Sequence, residues 1–114
     1  MSRNSKLGYD AEHAVEAWFR SHISPDVYRP RAGTIYDTGD IRGLPFVVSV
    51  KNHADLRLAD WVGDLAAMCQ NAKLSTGVVI HKRRGRGSVD DWYVTTSGAL
   101  ALPLLVSYVD GGAA

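Results

Sequence analysis

One cysteine is too few for an internal disulfide, so Cys69 points to a chain that folds on its apolar core in a reducing compartment. The four histidines show no pair spacing suited to zinc, which argues against a structural zinc site. Long hydrophobic runs are missing as well. The longest, Ala99 to Val106, is far too short to cross a bilayer, and the opening MSRNSKLGYDAEH lacks the apolar core of a signal peptide. The expectation is a soluble, intracellular (cytoplasmic) protein with no membrane association. Neither charge is in excess: the net charge is +1, so affinity for a polyanion must come from local clustering of cations. What is present is an ordinary globular mixture, 46% apolar and 22% charged over 114 residues, enough for one domain (1–114) around one core.

Residues 5–21 read as a helix, with Leu7, Ala11, Ala14, Val15 and Trp18 recurring at three- and four-residue steps and Asn4 or Ser5 available as N-cap. Pro25 ends it, and Val27 to Arg31 reads as a short strand. Gly33 and Gly39 bracket a polar loop. A hairpin follows: with Gly43-Leu44 as a two-residue type II′ turn, Ile41 pairs with Phe46 and Asp40 with Val47. That register puts Asp40 on the same face as Ser49 and Lys51, while Phe46, Val48 and Val50 point the other way. A second helix, about 56–73, carries one apolar stripe from Leu58 to Ala72. Val78-Val79-Ile80 reads as a strand covered on both faces. A basic glycine loop, Lys82 to Ser88, leads to a strand from Trp92 to Thr96. Ser97 can cap a last helix, which Pro103 should kink or shorten. The order α-β-β-β-α-β-β-α predicts an α/β fold, a mixed central β-sheet flanked by helices.

Metal-dependent cleavage of a phosphodiester needs a carboxylate to hold Mg²⁺, a lysine to steady the phosphate or its attacking water, and a second carboxylate nearby. The stretch Arg31 to Lys51 offers Asp40 and Lys51, but Ser49 stands where the second acid is sought. Each residue also has a plainer role. Asp after Gly is common in turns, and a lysine at a strand's end can snorkel to water. Glu12 sits at the border of the first helix's apolar stripe, one turn before Glu16, which has Arg20 as an i,i+4 partner. It is either a solvated helix acid or a half-buried functional one. The cations gather as Arg29 with Arg31, and as Lys82, Arg83, Arg84 and Arg86, a set suited to phosphate-backbone contact without base reading, or else a solubilising tip. Trp61 reads as core, and Cys69 lies on the buried stripe with no cation to activate it.

Taken together, Gly8-Tyr9-Asp10-Ala11-Glu12, Arg31-Ala32-Gly33-Thr34, Gly39-Asp40-Ile41, Val47-Val48-Ser49-Val50-Lys51-Asn52, Val79-Ile80-His81-Lys82-Arg83 and Asp91-Trp92-Tyr93-Val94 resemble the PD-(D/E)XK nuclease superfamily. Within it they are similar to the Holliday-junction resolvases of archaea and of phages of actinobacteria. The likeness covers roughly residues 6–96. It implies a restriction-endonuclease-like αβββαβ core. It also implies a Mg²⁺- (or Mn²⁺-) dependent endonuclease acting on four-way DNA junctions as a homodimer, phage-encoded in a bacterial host. In that pattern Asp40 ligates the metal with the backbone carbonyl of Val50, Glu12 completes the site, Lys51 orients the water and stabilises the phosphate, and Thr34 contacts the scissile region. Ser49 departs from the pattern, which has Glu there. Three readings follow: an inactivated form, a homologue that binds junctions without cutting, or a carboxylate relocated to Glu16, Asp37 or Asp64.

Overall fold

The computed structural model describes residues 3–31 and 36–112. It is an α/β fold with helices packed on a three-stranded mixed sheet. Helix α1 spans Arg3–His22, so Asn4 and Ser5 lie inside it rather than capping it. Strand β1 (Val47–Lys51) pairs in parallel with β2 (Gly77–His81), and helix α2 (Leu58–Ala72) connects them. Strand β3 (Tyr93–Thr95) pairs antiparallel to β2, and helix α3 (Gly98–Ser107) closes the chain before a π-helical turn, Tyr108–Gly112. Among the described residues no helix is long and apolar enough to cross a membrane.

Strand alternation divides the core in two. Val48, Val50, Val78 and Ile80 face α1, against Ala11, Val15 and Phe19. Val47 and Val79 face α2, against Trp61, Leu65, Met68 and Cys69. The β-branched run of β2 is therefore covered on both sides, as its composition requires.

Two of the expected strands are reduced to single bridges. Tyr28 and Arg42 exchange backbone hydrogen bonds (3.1 and 2.8 Å), but the next bonded pair along that ladder would be Pro30 with Asp40, and Pro30 has no N–H to give. The hairpin also differs from the two-residue turn. Ile41 lies opposite Val48 rather than Phe46, because Leu44 is buried against the α1 core instead of standing out at a turn apex. Gly43 keeps the positive φ that such a turn asks for (93°), now to let the chain pass close to the Asp26 carbonyl. Only this one bridge forms, two residues from the expected register, and the Asp40 and Ile41 N–H groups both bond the Val48 carbonyl, so regular alternation does not extend to Asp40.

The last helix runs through Pro103 without being cut short. The carbonyl that Pro103 leaves without an N–H belongs to Ala99, on the exposed side, where water can serve it. Ser97 caps this helix as expected, its Oγ accepting from the Leu100 N–H at 3.2 Å.

Helix α2 ends on Lys73, held left-handed at φ 57° while its N–H bonds the Cys69 and Gln70 carbonyls. A Cβ in that conformation costs about 1 kcal/mol. Lys73→Gly is therefore expected to raise the stability to urea unfolding by roughly that amount at unchanged m-value.

Candidate active-site cleft

Gly39 and Asp40 cross the outer edge of β1, the side away from β2. Gly39 has φ 103°, and a Cβ there would lie 2.9 Å from the Val48 carbonyl oxygen, so only glycine brings the chain this close. Asp40 is then held twice. Its N–H donates to Val48 O (2.8 Å), and its Oδ2 accepts from the Val50 N–H (2.7 Å). The carboxylate finishes a strand edge that would otherwise lack a partner.

Val50 N–H and Val48 C=O point to this outer edge, whereas Val47 N–H and Lys51 C=O are bonded on the β2 side, to Thr76 O and Lys82 N. Alternation puts the Val50 carbonyl on the outer edge too, beside Asp40.

Glu12 reaches the same point from α1. Its carboxyl group is close enough for Glu12 and Asp40 to shift each other's ionisation, and the Lys51 charge acts on both acids. Burial and then the Asp40 charge lift the Glu12 pKa from its ordinary 4.5 to about 7, against the pull of Arg29 and Lys51. Asp40 is raised as well, chiefly by burial, though the Val50 N–H and Lys51 hold it down. The two acids thus oppose each other's ionisation. The cleft that they line has a volume of about 720 Å³ and includes Tyr9, Glu16, Arg29 and Asp37.

The site so assembled brings together Glu12, Asp40, the Val50 backbone and the charge of Lys51. Ser49 is present in a different sense. It is 1% exposed, and its Oγ has no hydrogen-bond partner. By alternation it shares the face of Val47, which packs against α2. Thr34 lies outside the described residues.

Of the three acids named as replacements for the missing Glu, Glu16 and Asp37 line the cleft. Glu16, however, is paired with Arg29 (3.4 Å) and His13 (3.8 Å), not with Arg20, whose Nε donates to the Pro25 carbonyl instead. Asp37 accepts from the Gly39 N–H at 2.9 Å, and its charge helps to raise Asp40. Asp64 is an exposed residue of α2.

The cations divide between two places. Arg29 belongs to the wall of this cleft, its guanidinium 4.5 Å from the Tyr9 ring centre and its charge matched by Glu16, while Arg31 lines the same cleft. Lys82 and Arg83 lie over the Trp92 and Tyr93 rings (5.8 Å each). Their loop is tied down by Trp92 Nε1 donating to the Arg86 carbonyl and by an Arg83–Arg86 turn bond. Arg84 and Lys82 border a second cleft, together with Asn52, His53 and Arg57. The sequence reading missed Tyr9, His53 and Arg57; the position of Asn52-His53 directly after Lys51 was the available signal.

A divalent cation is what the resemblance implies here. Among the described residues no three His, Cys, Asp or Glu side chains form a ready cage. Two carboxylates and one strand carbonyl do fit Mg²⁺, which commonly takes one or two carboxylates and fills its octahedron with water and substrate phosphate. No protein-family model, curated protein or solved structure matches this chain.

Raised acid pKa values favour the protonated folded state. The contribution of Glu12 to stability is complete below pH 4.5 and is lost as pH rises through about 7. Discounted for the solvent-facing side of the group, it is on the order of 1 kcal/mol, or about 4 °C in Tm. The wild-type Tm without metal should fall by that much between pH 5.5 and 8 relative to Glu12→Gln, as followed by thermal melts. At position 49, Ser49→Ala removes a buried hydroxyl that bonds nothing and should raise stability by about 1 kcal/mol in urea unfolding.

Proposed function

We propose that this chain is a structure-selective endonuclease of the Holliday-junction-resolvase type. It would hydrolyse phosphodiesters in four-way DNA junctions as a homodimer with Mg²⁺ or Mn²⁺, on a restriction-endonuclease-like fold. One observation carries the reading: Glu12 and Asp40 meet at the open edge of β1, under the charge of Lys51. A half-buried acid pair there has a cost that a purely structural edge would not need.

In this reading Asp40 and Glu12, with the Val50 carbonyl, would hold the cation, which offsets charge on the attacked phosphate and lowers the pKa of a bound water. The Val50 N–H fixes the Asp40 carboxylate before any ligand arrives. A cation would compete with the proton on Glu12, so affinity should weaken with falling pH below about 7. Lys51 holds the attacking water in line and stabilises the extra negative charge as the new P–O bond forms and the old ester bond breaks. Arg31 and the loop cations Lys82, Arg83, Arg84 and Arg86 would grip flanking phosphates. The apolar side chains of Leu102, Leu105 and Val106 stand exposed on α3 and support an association of two copies.

A second reading keeps DNA binding without cleavage. It is favoured by Ser49, whose neutral hydroxyl offers a metal nothing like a carboxylate. A related nicking or repair nuclease acting on other DNA is the third.

Incubation of a labelled four-way junction with Mg²⁺ separates them. Cleavage is expected, with Lys51→Ala lowering the rate by about 10²-fold or more and Ser49→Glu raising it through a third carboxylate beside those of Asp40 and Glu12. If neither the wild type nor a folded Ser49→Glu protein cuts junction, flap, nicked or linear DNA, the enzymatic reading is lost. Tight, steeply salt-dependent junction binding without product would then favour the binding module.

A further inference from the structure

The second cleft is lined by a different set of residues from the first. Asn52 follows Lys51 directly and lines a cavity of about 950 Å³ between the start of α2 and the basic loop. Its rim carries Arg57, Lys82 and Arg84 against a single lining acid, Asp55. Among the described residues neither Arg57 nor Arg84 is in a salt bridge, so their charges face the opening without a protein counter-ion.

The floor is aromatic. Four rings run in series: His53 to Trp61 (5.9 Å between centres), Trp61 to His81 (5.3 Å) and His81 to Tyr93 (5.2 Å). The two middle rings are buried and His81 is pinned by its Nε2 to Thr95 Oγ1 at 2.7 Å, so the series cannot slide. The two end rings are reached by solvent: His53 is exposed, and Tyr93, with the exposed Arg83 guanidinium 5.8 Å from its centre, is 47% exposed. Packing alone does not call for ring faces left in solvent beside unpaired guanidinium groups. An anion without a flat apolar part would need only the cations, and an apolar ligand would need only the rings.

We propose that this cleft binds single-stranded nucleic acid, stacking an unpaired base on the Tyr93 and His53 rings while Arg57, Arg84 and Lys82 hold the phosphates on either side. Asn52 of this cleft follows Lys51 in the chain, so the bound nucleotide would lie near the phosphate addressed by the Glu12–Asp40 site. That adjacency rests on the nuclease reading; the binding itself does not. A duplex end would have to fray to enter, which gives a preference for branched or unpaired DNA without any reading of sequence.

The test is metal-free. Fluorescence anisotropy in EDTA compares a labelled oligothymidylate of about ten nucleotides, an abasic strand of equal length and a blunt duplex. The oligothymidylate should bind about tenfold or more tighter than the abasic strand. His53→Ala and Tyr93→Ala should each remove most of that ratio and leave abasic affinity unchanged. Arg57→Ala and Arg84→Ala should weaken both strands alike and flatten the salt dependence by about 0.7 in log–log slope for each phosphate deprived of its cation. Equal binding of the two strands by the wild type overturns the proposal. So does an unchanged ratio in His53→Ala, whose exposed ring can be removed without opening the core, and this holds whether or not Tyr93→Ala folds. Base-dependent binding with no junction cleavage would remove the nuclease reading and leave this site standing.

Discussion

The hydrogen bond from the Val50 N–H to Asp40 Oδ2 is the interaction on which the candidate site depends. A strand edge needs a partner for its backbone groups, and β1 receives only a fragment of one: the Asp40 and Ile41 N–H groups both aim at the Val48 carbonyl, and then a side chain takes over. The carboxylate does what a strand would have done. In doing so it is fixed in place with one oxygen bonded and its other side turned toward Glu12 and the cleft. Gly39 makes the approach sterically feasible, and the wide turn around the buried Leu44 sets the register that delivers it.

Electrostatic stress gathers around that hydrogen bond. Burial raises both acids of the pair, and Lys51 and Arg29 offset only part of the cost. Protonation relieves part of that stress, and the divalent cation proposed for this site would relieve it in the same way. Stability and ligand affinity are thus tied to the same two side chains. A site tuned for binding is unfavourable when empty, which is the usual relation between function and fold stability.

The α2 face of the sheet has a different character from the α1 face. Among its apolar side chains it buries Ser49, whose hydroxyl bonds nothing, and His81, whose Nδ1 has no partner and whose pKa is lowered by burial. In the Cα register Ser49 lies opposite Val79 and Lys51 opposite His81, so the polar positions of this face gather toward the C-terminal ends of β1 and β2. Polar groups in a core of this size are expensive unless they support something. His81 supports the ring series beneath the second cleft, and Ser49 occupies the place next to the proposed catalytic lysine.

Periodicity alone determined most of the scaffold: the two long helices, the doubly covered β2 and the Ser97 cap. These follow from rules that act within a few residues along the chain. The expected strand at 27–31 and the tight hairpin did not form, since pairing is a property of two segments and Pro30 and Leu44 each had a stronger demand from elsewhere. Only tertiary structure decided that Glu16 would neutralise Arg29 rather than Arg20, that the cations would part into two groups, and that His53, Trp61, His81 and Tyr93 would line up as one floor. Those arrangements join residues far apart in sequence, and their energies arise from burial and approach in space, which no local pattern encodes.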